Sequence, residues 1–439
     1  MKPEPKTLSL PFAGGEPATR EPQAKFGRPR VREPERGQAE VRFLVPDDAV
    51  PLDHPARLIW NVLGVMPLEG FYRGIESVSG GAGRPPLCPR MLLALWLYGI
   101  SEGIGSAREL ARLTKEALAY QWIVGGVSVS HDRLSGFLVS HREEIDALFT
   151  DLLASLLLKG LLALRVAAQD GTRTRASATA PSFRTYGSLL ECRRQAALHL
   201  KAVLAAADDP EYTRAQHAAR KAAAEDYQRR VDEAVATVKE LQERRSPKDK
   251  PARASTTDAQ ARVMKMADGG FRPAFNVQYA VAGAAEGGPR TIVGVQVTNS
   301  GSDLGSLAPM AEQIKERTGQ YPEVVLADGG HVKHEDIVEM QNKGIAVIAP
   351  PAETAKTADE LRAAGADEHV VTWRERMETE EAKRLYKARA SLVELVNAHQ
   401  KEHHGLTQFL VRGLAKVTTM VTISALAFNI LQNGDRLLR

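Results

Sequence analysis

The sequence predicts an α/β protein in which a mixed sheet covered by helices follows an all-α segment. Three observations carry this. Residues 51–160 show apolar positions at helical spacing; short strand-like runs alternate with helical segments from 164 to 349; and two of those runs lead into an aspartate followed by glycine. Strands and helices in that order build a layered α/β core. Of the 439 residues, 43% are hydrophobic and 26% charged, which suits a folded chain and excludes wholesale disorder. The length suggests two or three domains. Net charge is 58 − 54 = +4, which permits a nucleic-acid partner without demanding one. The two cysteines, Cys88 and Cys192, cannot make a disulfide framework, so a reducing cytoplasm is expected.

Each element follows from local patterning. Residues 1–45, rich in proline and charge, are expected to be a disordered tail whose Arg28, Arg30 and Arg32 are solvated rather than phosphate-bound. Residues 46–162 read as a helical domain, with DNA binding and plain dimerisation as the two readings. Pro89 opens an apolar helix through Tyr98, Ser106 and Glu109 form a capping-box pattern, and Ser130 caps a further helix. Residues 163–432 read as the sheet domain. Leu164–Gln169 is a strand predicted to end at Asp170, Phe275–Ala282 and Thr291–Thr298 form a hairpin-like pair, and Glu323–Ala327 leads to Asp328. Ile345–Ala349 is a further strand, and a long helical region starts near Thr379. A helical insertion spans about 188–250. Its Tyr227, Val231, Ala234, Val238 and Leu241 are spaced 4, 3, 4, 3, a coiled-coil seam that serves either the hairpin itself or a protein partner. Residues 433–439 are expected to be a tail. The apolar stretch Leu414–Leu431, broken by Lys416, threonines and Ser424, reads as a core helix rather than a membrane span. Met1–Leu10 has no apolar run of signal-peptide type.

The chemistry is sought where strands deliver acids. Asp170 and Asp328 are each followed by glycine, which also suits an ordinary turn. A third acid shifts the balance: Glu394, Asn397 and Lys401 share one helix face, with Tyr386 and Arg389 just before them. Three hard oxygen ligands suit Mg²⁺ or Mn²⁺ rather than zinc, and two such ions can serve phosphoryl transfer. Arg389 and Lys401 would then meet phosphate charge.

Tyr386-x2-Arg389, Glu394, six residues and then Lys401 resembles the Y-R-E-K signature of bacterial insertion-sequence DDE transposases. DGTRTRASAT (Asp170–Thr179) and VVLADGGH (Val324–His331) are similar to the segments around that family's two aspartates. PRMLLALWLYG (Pro89–Gly99) resembles the helical domain that precedes its catalytic core. Four residues separate Arg389 from Glu394, where the general signature has three. The resemblance implies a ribonuclease-H-like core with Asp170, Asp328 and Glu394 as catalytic and metal-binding triad. It implies two Mg²⁺ (or Mn²⁺) ions, cleavage at element ends, strand transfer of the 3′-OH into target DNA, and a homodimer in the cytoplasm at the nucleoid. Tyr386, Arg389, Asn397, Lys401 and His331 are the expected DNA contacts. Two alternatives stay open: a catalytically inactive or repurposed DNA-binding remnant, and a purely hydrolytic nuclease of the same fold. Gly80, Gly81 and Gly83 make no nucleotide-binding loop, the pair His399 and His403 has no third zinc ligand, and Asp268 and Asp303 are spare acids.

Overall fold

The computed structural model describes residues 45–77, 85–206, 212–246, 250–283, 288–352 and 355–439. The expected tail with Arg28, Arg30 and Arg32, and the glycines 80, 81 and 83, lie outside the described residues.

Eight helices come first among the described residues: α1 (Pro46–Ala49), α2 (Pro55–Val65), α3 (Glu69–Tyr72), α4 (Pro89–Ser101), α5 (Ala107–Glu116), α6 (Leu118–Val124), α7 (His131–Ser140) and α8 (Arg142–Leu158). Ser106 and Ser130 cap α5 and α7 by accepting the backbone N–H three residues on. The other half of the capping box is missing, because Glu109 turns to Arg112 instead. Helix α4 is apolar all round, and Met91 to Ile100 are all buried, which makes it the centre of the helical region.

The sheet is built from β1 (Val166–Arg175), β4 (Arg262–Lys265), β5 (Phe271–Ala282), β6 (Thr291–Thr298), β7 (Val324–Leu326) and β8 (Ala346–Ile348). Two short strands, β2 (Phe183–Thr185) and β3 (Arg253–Ser255), pair separately. Strand β5 runs antiparallel to β1 and β6, while β7 is parallel to β1 and β8 parallel to β7. The order β6-β5-β1-β7-β8, antiparallel on one side of β1 and parallel on the other, is a ribonuclease-H-like arrangement. Strand β1 is central and does not stop at Asp170 as its apolar run suggested. It continues through Arg175, because β5 is long enough to pair with it from Ala167 to Arg175. Past Asp170 its alternation switches to glycine, threonine and arginine, which hid the strand.

Helices α9 (Tyr186–Ala205) and α10 (Arg214–Glu243) form the insertion. The coiled-coil seam is used inside the chain: Ala234, Val235 and Val238 of α10 pack with Leu189 of α9 and Ala252 and Ala254 beside β3, a small core of their own. The remaining helices are α11 (Leu307–Thr318), α12 (His334–Asn342), α13 (Ala358–Ala363), α14 (Glu368–Glu378), α15 (Glu380–Arg389), α16 (Leu395–Glu402) and α17 (Leu414–Leu438).

Helix α17 ties the parts together. It packs on α2, α4 and α8 and on β6, so the helical region and the sheet share one hydrophobic core. Asn429 donates to the Ile292 carbonyl and accepts from the Ile292 N–H, both at 2.8 Å. That pair satisfies backbone groups along the outer edge of β6. The helix is long and apolar enough to cross a membrane, yet 72% of its most apolar window is buried within the protein. It also runs through Leu438 with Asn433 and Leu437 buried, so residues 433–438 are helix rather than tail. A second tie joins α11 to α8, where Arg317 meets Asp146 at 2.5 Å and Thr150 at 2.8 Å.

Below the site, His404 is 1% exposed and its Nδ1 lies 2.8 Å from Ser424 Oγ. Burial, with His399 beside it, pushes its pKa down to about 3. The folded pKa lies below the unfolded value of about 6.5, so the unfolded chain takes up the proton first. Stability is complete above that value and falls as pH drops from about 6.5 toward 3. At pH 5 the expected loss from this one group is roughly 2 kcal/mol. Chemical denaturation of wild type and His404→Gln between pH 7 and pH 5 should show a flatter profile for the variant; parallel profiles would refute it.

Candidate active site

Parallel register sets the site. Ala168 of β1 faces Leu326 of β7, and two residues further on each strand come Asp170 and Asp328. Adjacent strands are about 4.8 Å apart, so the two carboxylates are neighbours on one face. Asp170 is held well inside, with its side chain 17% exposed. Asp328 caps a short 3-10 turn (Gly329–His331) and accepts the Gly330 N–H at 2.9 Å.

The third acid arrives on the arm formed by α15 and α16. Between them residues Ala390–Glu394 form a π-helical turn. Leu392 and Val393 of this turn are buried in the core, and Arg290 Nε donates to the Ser391 carbonyl at 2.6 Å. That donor replaces a partner the widened turn cannot supply. The turn brings Arg389 and Glu394, five residues apart, onto one face: Arg389 Nη2 donates to Glu394 Oε1 at 2.6 Å. In a regular α-helix a four-residue separation does this. The extra residue in the signature is thus absorbed as one π-bulge.

Arg389 Nη1 also lies 3.6 Å from Asp170 Oδ1, so its guanidinium sits between Asp170 and Glu394. Its plane lies 5.7 Å from the Tyr386 ring, a cation–π contact. Asn397 Nδ2 donates to Asp170 Oδ2 at 2.9 Å, while its own Oδ1 is buried with no hydrogen-bond partner. Lys401 is half-buried and lines a cleft of about 460 Å³ with Gly171, Thr172, Arg173, Lys265, Met266, Ala267 and Gly301. Burial lowers the Lys401 pKa against the pull of Asp170. His331 is fully buried, with both ring nitrogens engaged inside the protein rather than open to a DNA phosphate.

The two aspartates are driven apart electrostatically. Burial, reinforced by the Asp328 charge, raises the pKa of Asp170 above the usual carboxylate range despite Arg389. The His331 hydrogen bond, helped by Arg389, lowers that of Asp328 despite its own burial. Among the described residues no three acidic, histidine or cysteine side chains converge as they would around a single ion. The donor set nevertheless fits hard divalent cations: it consists of carboxylate oxygens, an orphaned amide oxygen waits beside Asp170, and a guanidinium already supplies positive charge between two of the acids.

Two family models match the chain. A transposase DDE domain model covers residues 353–432, which include Tyr386, Arg389, Glu394, Asn397 and Lys401. A transposase domain model (DUF772) covers residues 44–138. Both matches support an insertion-sequence DDE transposase. No curated protein and no solved structure matches the chain. The transposase DDE domain is of polynucleotidyl transferase or nuclease type, and such domains have DNA as partner.

Sequence reasoning passed over Arg173, Asn276 and Gln278, and set Asp303 aside as a spare acid. Asp303 accepts from Asn276 Nδ2 at 2.6 Å and from Gln278 Nε2 at 2.5 Å, and pairs with Arg173 at 3.4 Å. A signal existed: Asn276 and Gln278 put two amides two residues apart in the otherwise apolar run Phe275–Ala282, both 1% exposed. Asp268 pairs with Arg272 instead of joining the other acids. His399 packs at a tilt against His403, ring centroids 4.7 Å apart.

Removing the bridging cation tests the arrangement. Arg389→Ala should lower the Tm of the metal-free transposase, because the partly buried Asp170 and the more exposed Glu394 lose their counter-charge. Saturating Mg²⁺ should then raise the Tm of the variant more than that of wild type. Equal Mg²⁺ shifts in thermal scans would mean that Arg389 does not hold the place of a cation.

Proposed function

We propose that the transposase cleaves insertion-element DNA ends and transfers the exposed 3′-OH into target DNA, with Asp170, Asp328 and Glu394 as its catalytic carboxylates. The observation that carries this is the Arg389 guanidinium held between Asp170 and Glu394, next to Asp328, where the parallel strands β1 and β7 deliver both aspartates. Asp170, Asp328 and Glu394 would hold two divalent ions, Mg²⁺ or Mn²⁺. Bound there, such ions supply Lewis-acid stabilisation of the attacking and leaving oxygens of an in-line displacement.

The chain's own residues do the rest. Asn397 fixes the Asp170 carboxylate through its amide. Lys401, half-buried beside Arg173, faces the cleft with no ion pair of its own among the described residues and suits a backbone phosphate. Tyr386 supports Arg389, which can turn from the acids to a phosphate. Two element ends have to be held together, so the active form is a homodimer acting on chromosomal DNA in the cytoplasm.

Asp328→Asn and Glu394→Gln should each reduce end cleavage by roughly 10³-fold, the equivalent of several kcal/mol of transition-state stabilisation. Their affinity for element-end DNA should stay within a few-fold of wild type. Full-rate cleavage by either variant would refute the assignment. A wild-type protein that binds ends but cuts them under no Mg²⁺ or Mn²⁺ condition would mark a repurposed binder, and nicked products never joined to target would mark a hydrolytic nuclease.

Binding should weaken with salt, with a log–log slope of about −0.9 per phosphate contacted. In filter-binding titrations Lys401→Ala should make that slope shallower by about one. An unchanged slope would remove Lys401 from the phosphate contacts.

A further inference from the structure

The reading above leaves a chain of buried polar groups beneath Asp328 without a task. It starts at Arg173, which donates to the Gly301 carbonyl at 2.8 Å and pairs with Asp303. Asp303 accepts from Gln278 Nε2 at 2.5 Å. Gln278 is therefore fixed in one orientation, with its amide hydrogens toward the carboxylate and its Oε1 turned the other way. That Oε1 lies 3.1 Å from His331 Nε2, and His331 Nδ1 lies 2.6 Å from Asp328 Oδ1. Gln169 braces the middle, donating to Ser306 Oγ at 3.0 Å and lying 3.5 Å from Gln278 Oε1.

The backbone is shaped around this chain. A Cβ on Gly171 would come within 2.2 Å of Gln278 Nε2 and 2.5 Å of Asp303 Oδ1. No side chain fits there without breaking the Gln278–Asp303 bond. The residue after Asp170 is thus a glycine because the chain beneath Asp328 passes over it.

We infer that Asp303, Gln278 and His331 are positioning residues that hold Asp328 in its metal-ligating pose, the orienting partners that a ligating carboxylate needs. The inference rests on Asp328 being a metal ligand, as proposed above. With Oδ1 pinned by His331 and Gly330, only Oδ2 of Asp328 is left to face Asp170 and Glu394. His331 acts through Asp328 and touches no DNA.

The test is Mn²⁺ binding to the full-length protein without DNA, followed by electron paramagnetic resonance. Gln278→Met keeps length and removes both hydrogen bonds; Gly171→Ala breaks the same chain from another strand. Each should weaken Mn²⁺ affinity by about 10–100-fold. The double variant should be no weaker than the worse single one, because both cut one chain. Gln278→Glu, whose carboxylate faces Asp303, should be at least as weak as Gln278→Met. DNA affinity should stay near wild type in Gln278→Met and Gln278→Glu. Wild-type Mn²⁺ affinity in a folded Gln278→Met protein overturns the positioning role. Additive losses also overturn it, since they mean two unrelated defects. An Asp328→Asn control that binds Mn²⁺ as wild type does would instead overturn the metal-site reading itself, and the positioning role with it.

Discussion

Two carboxylates forced side by side in a half-dry site are the constraint on which the rest of this structure depends. Parallel pairing of β1 and β7 leaves Asp170 and Asp328 level with one another. At a strand spacing of about 5 Å, two full charges repel by about 3 kcal/mol at an effective dielectric of about 20. The fold answers with a partner on either flank. His331 lies fully buried against Asp328, and Arg389 reaches across from the C-terminal arm to Asp170. The opposite pKa shifts of the two aspartates follow from this asymmetry: burial dominates at Asp170, which has only an amide and a more distant guanidinium, whereas the direct His331 hydrogen bond dominates at Asp328. A site of this kind resists closing on itself and favours added positive charge, which is what phosphoryl-transfer chemistry requires of it.

The π-bulge shows how such a demand reshapes a helix. Arg389 and Glu394 are one residue too far apart for an α-helical pair, yet both have to face Asp170. Without the bulge, Glu394 would be rotated by about 100° relative to Tyr386 and Arg389. The wider turn costs a regular hydrogen bond, and Arg290 makes good the loss at the Ser391 carbonyl. An insertion that would look damaging in a motif comparison is therefore neutral in space.

What could be read from the sequence divides along the same line. The run of strands and helices along the chain, Asp328 just past a strand and the shared face of Glu394, Asn397 and Lys401 were legible because they follow from period-2 and period-3.6 patterns. The length of β1 was not, since Gly171, Thr172 and Arg173 carry no apolar alternation and are placed by β5. Nor was the burial of His331: a histidine three residues after an aspartate reads equally as a phosphate contact or a cap. Only the distant Gln278, some fifty residues earlier, decides that its second nitrogen is occupied. The coiled-coil seam of α10 was visible, but that its partner was α9 in the same chain was a tertiary fact.

The long gap between the first two acids costs little for a physical reason. Helices α9 and α10 close over their own small core, so the insertion adds little to the burden of the sheet. Closing a longer loop costs only about 0.6 kcal/mol per doubling of length. The more demanding closure is the other one, between β1 and the arm bearing Glu394, because that arm has to be held against the sheet by a contact strong enough to keep Arg389 in place. The π-helical turn supplies it by packing on β1 and β5, and α16 is tied to α17 where Ser424 donates to Gln400 and Phe428 meets His399; α17 is in turn locked to the edge of β6 by Asn429 and Asn433 and shares its apolar face with α2, α4 and α8. The N-terminal helices are thereby part of what fixes the active site. Loosening the packing of α4 on α17 should reach Glu394 through the arm before it reaches Asp170 or Asp328, whose places are set by the strands themselves.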